Sequence, residues 1–359
     1  MFRPWIPALL LFAPACVTAP PAPIPGAAGA DHLIEPGETH LAHLWKLTRG
    51  GENAEAYWSF DGRRLVLQRR NLEEDIPCDR IFVVERGFDL ELVSTGTGVT
   101  TCAYFLPGDR AVLFASTHGY AAECPPPIDF QKEGGYVWAV HAEYDLYVRD
   151  LDTGELSPFL PCWGYDAEAT VSPRGDRVVF TSTRGGDIDL WTCNLDGSNL
   201  VQVTDTLGYD GGAFFSHDGT QLVYRSTFFT PGKETAETAV YRELLARWRV
   251  RPHHMEIMLA DADGGNRRQI THLGGANFAP FFFPDDTRVI FSTNHHETGA
   301  RNFDLFAIGV DGEGLERITT YAGFDSFPVF SPDGRFLVFA SNRGGERPGE
   351  TNIYVAEWR

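Results

Sequence analysis

Short apolar segments recur along the chain as pairs of strands joined by a tight turn. The clearest copy is GFDSFPVFSPDGRFLVFASNR, residues 323–343, in which a Pro-Asp-Gly turn separates two apolar segments. Aromatic and β-branched residues on both sides of such a turn predict a β-hairpin. Related hairpins begin near residues 53, 101, 165, 209 and 277. Six copies of one unit predict a repeat architecture.

Each hairpin is followed by further strand-like segments. After the copy at residue 165, DIDLWTCNLDG supplies a third strand and NLVQVT a fourth. Four antiparallel strands in a repeat of about 40 residues are typical of a β-propeller blade. The chain ends on a third strand, whereas HLWKLT, residues 43–48, has the fourth-strand pattern and precedes the first hairpin. The sequence therefore predicts an all-β, six-bladed propeller in which an N-terminal strand completes the last blade.

The repeats SPDGRFLVFASNRGG and SPRGDRVVFTSTRGGDIDLWTCNLDGSNLVQVT resemble the WD-repeat-like propeller repeats of the TolB family. This resemblance covers residues 43–359 and implies a stand-alone propeller, because too few residues precede the first strand for the N-terminal domain of TolB. Similar repeats occur in prolyl oligopeptidases and dipeptidyl peptidases, which carry a hydrolase domain with a GxSxG motif. The chain has neither that motif nor the length for such a domain, so peptidase activity is not implied.

The first 16 residues predict export. Arg3 precedes a short apolar segment, and small residues lie directly before Cys16. The pattern resembles a bacterial lipoprotein signal, in which this cysteine receives the lipid, although Ala13 stands where leucine is usual. We expect lipid attachment at Cys16, with ordinary cleavage and secretion as the alternative. Residues 17–38 are rich in Pro, Ala and Gly and predict a flexible tether, which leaves residues 39–359 for the propeller.

The chain is strongly acidic, with a formal net charge of −19. Nucleic-acid binding requires a basic surface, so this charge argues against that function. It would also oppose binding to anionic membranes, which leaves a lipid anchor as the membrane attachment. We expect a monomer in the periplasm or cell envelope.

Five cysteines follow Cys16, and an exported protein can form disulfides. Cys78 and Cys102 begin neighbouring predicted strands, so we expect these two to pair. The odd number leaves at least one free thiol. No CxxC or clustered His/Cys spacing occurs, which argues against a structural zinc site.

Repeat register predicts which side chains meet at the propeller axis. Counting nine residues back from the turn reaches Asp or Asn in five blades, and Glu55 and Glu168 follow two residues later. Arg184 and Arg343, after two second strands, could bind a carboxylate or form ion pairs. Oxygen ligands around the channel mouth could hold Ca²⁺ or bind a cationic group, or the Asp and Asn side chains could cap backbone amides. The expected ligand-binding residues are Asn53, Glu55, Asp166, Glu168, Asp210, Asn277, Asp325, Arg184 and Arg343.

Three insertions, residues 118–143, 228–254 and 294–302, are expected on the same face. The second contains residues 235–249, which predict an amphipathic helix. Long loops on a rigid scaffold often carry binding sites, and these loops hold Tyr136, Trp138 and Phe228 as candidate apolar anchors. Imidazoles combined with carboxylates could bind a transition metal. The candidate metal ligands are His118, His253, His254, His295 and His296.

These features favour a binding or scaffolding propeller that requires no cofactor and docks an envelope protein or a small ligand at the channel mouth. The alternative is a metal-dependent enzyme, such as a lyase or hydrolase acting on an anionic carbohydrate at the same place. Oligogalacturonate lyases are propellers of related repeat type with metal-bound histidines, so the lyase is suggested by analogy. No HxH or HExxH spacing and no nucleophile elbow occur in the chain.

Overall fold

The computed structural model describes residues 21–297 and 301–359. Six antiparallel sheets lie around a central channel, and their innermost strands contact one another in cyclic order. The predicted six-bladed propeller is therefore confirmed. The predicted signal sequence, including Cys16, lies outside the described residues.

Blades 1 to 5 each contain four strands in chain order from the axis outward. Blade 1 contains Glu52–Trp58, Leu65–Asn71, Ile76–Arg86 and Asp89–Leu92. Blade 2 contains Thr100–Phe105, Ala111–Ser116, Asp145–Asp150 and Leu156–Phe159. Blade 3 contains Asp166–Val171, Arg177–Ser182, Asp189–Asn194 and Val201–Gln202.

The remaining blades follow the same order at first. Blade 4 contains Asp210–Phe215, Gln221–Thr227, Met255–Asp261 and Arg268–Gln269. Blade 5 contains Asn277–Phe282, Arg288–Thr293, Asp304–Gly309 and Glu316–Arg317. Blade 6 contains Asp325–Phe330, Phe336–Ser341 and Asn352–Trp358, followed outward by Leu41–Lys46 and Ala28–Gly29. Short 3₁₀ helices cover Asp31–Leu33, Leu72–Glu74 and His295–Glu297.

Blade 6 closes the ring with strands from both ends of the described chain. Leu41–Lys46 pairs antiparallel with Asn352–Trp358, with Leu44 opposite Ala356 and Trp45 opposite Val355. The predicted closing strand is confirmed, and it begins two residues before the predicted start of residues 43–48.

Residues 21–38 pack against blade 6, which differs from the flexible tether predicted for residues 17–38. Ile24 is fully buried, and the side chain of Glu38 is buried beside Arg343. An apolar side chain and an acid with a buried basic partner fix this segment on the blade, although its composition is rich in Pro, Ala and Gly.

The core between blades is built from one repeated apolar position in the second strands. The six side chains at this position are at most 1% exposed, and they are Leu67, Phe114, Phe180, Tyr224, Phe291 and Phe339. Full burial of a side chain of this size contributes about 1.5–3 kcal/mol. The repeated packing holds the six inner strands in fixed positions around the channel.

Every innermost strand contains a β-bulge at the same place. In blade 1 the pairing with the second strand shifts between Ala54 and Tyr57, and the other five blades shift at the equivalent residues. A bulge adds one residue and changes the direction of its side chain. The bulged residues have φ between 44° and 60°, and they are Glu55, Cys102, Glu168, Gly212, Ala279 and Phe327.

The insertions of blades 2 and 4, residues 118–143 and 228–254, together form what we call the roof. They meet in a two-stranded sheet in which Trp138–Ala139 pairs with Arg249–Val250. The predicted helix is present as α1, Glu234–Leu245, and it buries Tyr241 and Leu244. It ends before the predicted residue 249 because Trp248 takes a left-handed conformation with φ 58°. No helix in residues 21–297 or 301–359 is long and apolar enough to cross a membrane.

One disulfide ties the roof to the propeller. Cys78, in the third strand of blade 1, is bonded to Cys124, in the insertion of blade 2. The predicted bond between Cys78 and Cys102 is wrong, because Cys102 occupies the bulge of blade 2, whereas the insertion brings Cys124 to a Cα distance of 5.9 Å from Cys78. In the described part of the chain, Cys102, Cys162 and Cys193 are free.

Candidate functional site

The channel contains a cavity of about 1130 Å³ beneath the roof. Inner strands supply its walls, and residues 125–128, 136–141 and 252–254 supply its cover. Five of the six bulged residues line it. The size suits a small-molecule site, since such pockets usually measure about 300–1,000 Å³.

Aromatic rings close the far end of the cavity. Tyr57 of blade 1 lies 5.6 Å from Phe214 of blade 4, measured between ring centroids, so this contact spans the channel axis. Tyr104 lies 5.7 Å from Tyr57, and Phe281 lies 5.1 Å from Phe214. Tyr57 and Phe214 form the floor of the cavity, and Tyr104 and Phe281 pack against them.

An ion pair between neighbouring blades lies in the polar wall. The Arg225 guanidinium of blade 4 donates to Glu168 of blade 3 and, at 2.6 Å, to the Tyr209 hydroxyl. Glu168 also accepts from the Thr181 hydroxyl at 2.7 Å and from the backbone N–H of Gly212 at 3.0 Å. The carboxylate therefore has three donors, which fix its position in the cavity wall.

Two glycines make room for this pair. A Cβ on Gly212 would lie 2.0 Å from Nη1 of Arg225, and a Cβ on Gly211 would lie 2.5 Å from Oε2 of Glu168. Gly212 also has φ 60°, which glycine adopts without strain. The bulge of blade 4 can hold the guanidinium because it has no side chain of its own.

The roof contacts the same guanidinium. The Arg225 Cζ lies 5.3 Å from the Trp138 ring centroid and 4.6 Å from that of Tyr209. Although burial opposes the charge, the nearby Glu168 raises the pKa of Arg225 overall, so it stays protonated. Trp138 also packs edge-on against Phe278 at 6.0 Å. The roof is thus fixed to the cavity by a cation–π contact as well as by apolar packing.

A second carboxylate, Glu55, lies in the wall of blade 1. The Tyr57 hydroxyl donates to its Oε2 at 3.3 Å. Burial raises the pKa of Glu55 to about 7, and the Glu168 and Asp79 charges act in the same direction. Burial also raises the pKa of the cavity-lining Asp79 to about 6, although the Arg70 charge opposes this. Groups with such pKa values can exchange protons near neutral pH.

Of the nine predicted ligand-binding residues, Glu55 and Glu168 line the cavity. The side chains of the other seven lie within or between blades, because the bulge turns Glu55 and Glu168 toward the cavity and leaves the preceding residues pointing elsewhere. Asp166 accepts from Arg184 at 2.6 Å, and Asp325 accepts from Arg343 at 2.7 Å, so the two arginines form ion pairs within their blades. Asp210 is also buried, beside the second strand of blade 4.

The two predicted asparagines connect adjacent blades. Nδ2 of Asn53 donates to the carbonyl of Thr351 in front of the third strand of blade 6, at 2.7 Å. Nδ2 of Asn277 donates to the carbonyl of Met255 in blade 4, also at 2.7 Å. These bonds correspond to the alternative in which short polar side chains satisfy backbone groups at the strand entrance.

The five histidines predicted as metal ligands lie in separate places. The His118 ring centroid lies 4.2 Å from that of Tyr147, His295 Nδ1 hydrogen-bonds the Leu273 carbonyl at 3.0 Å, and His296 Nε2 lies 3.0 Å from a carboxylate oxygen of Asp304. His253 and His254 are neighbours at the cavity cover, with ring centroids 4.8 Å apart. Across the described residues, no group of three or more His, Cys, Asp or Glu side chains is arranged to hold a metal ion.

One protein-family model matches part of the repeat region. The model of the TolB beta propeller domain family matches residues 242–358. The chain contains TolB-type propeller repeats. The resemblance noted in the sequence is confirmed, and the match covers the second half of blade 4 together with blades 5 and 6. No curated protein sequence gives a significant match to the chain.

Solved structures share this TolB-type fold at low sequence identity. A protein from Agrobacterium tumefaciens assigned as TolB is 16% identical, covers 86% of this chain and 91% of its own, and gives a TM-score of 0.53. An oligogalacturonate lyase in complex with manganese is 15% identical, with coverages of 93% and 97% and a TM-score of 0.54. A gluconolactonase from Xanthomonas campestris is 14% identical, with coverages of 94% and 99% and a TM-score of 0.57. These likenesses show the fold.

Arg225 is the cavity residue that sequence reasoning missed. The other five blades carry uncharged residues at its position in the second strand, and these are Gln68, Ala115, Thr181, Ser292 and Ala340. A single arginine in an otherwise neutral repeat position was a usable signal. The direction of Glu55 and Glu168 into the channel depends on the bulge, which the alternating pattern does not reveal.

Proposed function

We propose that the protein binds a small organic molecule in the central cavity beneath the roof. The observation that carries this proposal is the cavity of about 1130 Å³ with Glu55, Glu168 and Arg225 in its wall. Small-molecule sites combine an apolar lining with a few fixed polar groups that orient the ligand. An envelope protein, the other partner expected from the sequence, would meet the outer surface of the roof instead of these groups.

The lining is divided in a way that suits a ligand with one polar and one apolar end. Blades 1, 3 and 4 contribute the carboxylates together with Arg70 and Arg225. The side formed by blades 5 and 6 carries Phe278, Phe303, Phe324 and Phe327. Their rings pack in a continuous series, with centroids 5.2 Å apart for Phe278 and Phe303 and 5.8 Å apart for Phe278 and Phe327. An apolar group of the ligand would lie against these rings.

Thermal unfolding in the presence of a panel of sugars, sugar acids, amines and amino acids tests the proposal. At least one compound should raise the unfolding temperature, and Trp138→Ala should weaken its binding by ten-fold or more because this ring covers the cavity. Trp163→Ala is the matched control, since Trp163 is 62% exposed and lies outside the cavity. The proposal fails if no compound stabilises the protein or if Trp138→Ala binds as tightly as the wild type.

A metal-dependent enzyme, the alternative from the sequence, has weaker support. Two structural neighbours are named as enzymes, an oligogalacturonate lyase and a gluconolactonase, so this fold carries catalysis in other proteins. In the described part of this chain, the candidate histidines do not converge with carboxylates into a three-ligand group. Metal analysis of the purified protein would favour the enzyme if it found a stoichiometric transition metal.

We also propose that the protein acts in the cell envelope. The disulfide between Cys78 and Cys124 supports this location, because structural disulfides persist in oxidising compartments. The signal pattern before Cys16 supports export and a lipid anchor. Partition into detergent should be lost in a Cys16→Ser variant, and equal partition of both proteins would argue against the anchor.

A further inference from the structure

We propose that the ligand of the central cavity carries a protonated amine or quaternary ammonium group, which is held by Glu55 and Asp79 on the wall of blade 1. This inference rests on the proposed function, since it names the chemistry of the molecule that the cavity binds. It follows from three features of the cavity, which are the pairing of its charges, the protonation of its acids and the aromatic rings around them.

The charges of the cavity are unequally paired. Four carboxylates line it, Glu52, Glu55, Asp79 and Glu168. Glu52 accepts from Arg70 at 2.7 Å, and Glu168 is paired with Arg225. Throughout residues 21–297 and 301–359, no ion pair involves Glu55 or Asp79. The blade 1 wall therefore presents two half-buried acids without a direct ion pair, although the charges of Arg70 and Arg80 act on Asp79 and that of Arg225 acts on Glu55.

Arg70 and Arg225 also line the cavity, but each is held in an ion pair by another acid, Arg70 by Glu52 and Arg225 by Glu168. Arg301 lies on an exposed part of the cover. Burial lowers the pKa of His141 and of His253, so both rings are neutral at neutral pH. A cation in direct contact with both Glu55 and Asp79 would therefore come from the ligand.

The environment of the two acids favours such a charge. Several groups act on Glu55 through their charge or a hydrogen bond, and they are Asp79, Cys102, Glu168, Arg225 and the hydroxyl of Tyr57. The phenol of Tyr144 also interacts electrostatically with Glu55. Arg70, Glu52 and Arg80 act on Asp79. Burial favours the protonated form of a carboxyl, whereas a cation within about 4–6 Å favours the ionised form. An ammonium group would therefore bind together with the release of a proton.

Aromatic rings complete the site for an organic cation. Tyr57, Tyr144, Tyr165 and Trp138 all line the cavity, Tyr57 and Tyr144 interact with Glu55, and the Tyr144 and Tyr165 rings are 6.0 Å apart. Ammonium groups are attracted to the faces of such rings, as the Arg225 guanidinium already is to Trp138. Hard metal ions instead require a shell of several oxygen ligands, and two carboxylates among phenol and indole rings do not provide such a shell.

Calorimetric titration with two isosteric pairs tests the inference. The pairs are choline with 3,3-dimethylbutan-1-ol and 2-phenylethylamine with 2-phenylethanol. At pH 8 each cation should bind at least ten-fold more tightly than its neutral partner. Choline should bind several-fold more weakly at pH 6, because it is charged at every pH and the change comes from protonation of Glu55 and Asp79.

Charge-removing variants locate the effect. Glu55→Gln and Asp79→Asn should each weaken choline binding by about ten-fold, the difference expected for one lost buried charge contact. Glu55→Gln should also reduce the difference in choline affinity between pH 6 and pH 8. Asp189→Asn is the control, because burial likewise raises the pKa of Asp189 to about 6 and this residue does not line the cavity. It should bind choline as the wild type does.

The outcomes separate this inference from the proposed function. Neutral partners that bind as tightly as the cations, or wild-type choline affinity in both cavity variants, would overturn the amine while leaving a ligand-binding cavity. If no isosteric pair binds, the charge of the stabilising compounds in the thermal panel decides: cationic compounds support the inference and others overturn it. If nothing in either set binds, the proposed function fails and the inference fails with it.

Discussion

Replacing Gly212 with Ala should displace Arg225 from the cavity wall. The new Cβ would lie 2.0 Å from Nη1 of Arg225, whereas non-bonded carbon and nitrogen atoms need roughly 3.5 Å. The guanidinium would have to retreat by about 1.5 Å, which breaks its hydrogen bonds to Glu168 and to Tyr209. Gly212 is therefore expected to be as important for the cavity as the charged residues themselves.

The expected loss of stability has two parts. Alanine at φ 60° costs about 1 kcal/mol by itself. Loss of the partner of a buried carboxylate costs about 3–5 kcal/mol, and this applies because the side chains of Arg225 and Glu168 are only 6% and 13% exposed. We expect Gly212→Ala to lower the free energy of unfolding by about 4–6 kcal/mol.

Gly274→Ala is the matched control for this substitution. Gly274 has φ 67°, and a Cβ at this position would have no atom within 4 Å. This variant should therefore lose only about 1 kcal/mol. Urea unfolding followed by tryptophan fluorescence measures both variants. If they differ by less than 1 kcal/mol, the guanidinium does not lie over Gly212 and the described cavity wall is incorrect.

Two further predictions concern buried charges outside the cavity. Arg343→Met should destabilise the protein by about 3–5 kcal/mol, since it leaves Glu38 and Asp325 buried without their partner. The control is Arg335→Met, at a side chain 65% exposed, which should change stability by less than about 1 kcal/mol. Similar losses of stability for the two variants in urea unfolding would contradict this prediction. Burial raises the pKa of Asp210 to about 7, so the folded state gains stability from the protonated acid at low pH and loses it as the pH rises through 7. Asp210→Asn should therefore be more favourable relative to wild type at pH 8 than at pH 5, and an equal difference at both pH values would refute the reasoning.

The sequence was sufficient to predict the fold because each blade repeats the same hairpin. Turn residues such as Asp333 and Gly334 separate apolar segments of matching length, and the fourth-strand pattern of residues 43–48 predicts how the ring closes. These signals are local, and they follow from the period of a strand and from turn chemistry. The order of the strands could therefore be predicted without knowledge of the packing between blades.

The cavity was predicted only in part, because its geometry depends on non-local features. Glu55 and Glu168 were expected at the channel, but the same register also placed Asp166 and Asp325 there. The bulge turns the first two into the cavity and leaves the others beside Arg184 or Arg343. No alternation pattern contains the extra residue of a bulge.

The roof was harder to predict than the blades for a similar reason. Its two insertions are more than 100 residues apart, from Trp138–Ala139 to Arg249–Val250, and they pair through only two residues each. Neither segment has a strand pattern long enough to be recognised. The bond of Cys78 to Cys124 depends on the path of the first insertion, and position along neighbouring strands therefore favoured the wrong cysteine.

The sharing of blade 6 between the two ends of the chain constrains how the protein can assemble in the cell. The inner edge of Leu41–Lys46 finds its partner strand at Asn352–Trp358, so this early segment leaves the ribosome long before that partner exists. Until then it presents an unpaired edge to other chains. A truncated product that ends before Asn352 would keep this edge permanently, and it would form aggregates or be degraded rather than act as a smaller propeller.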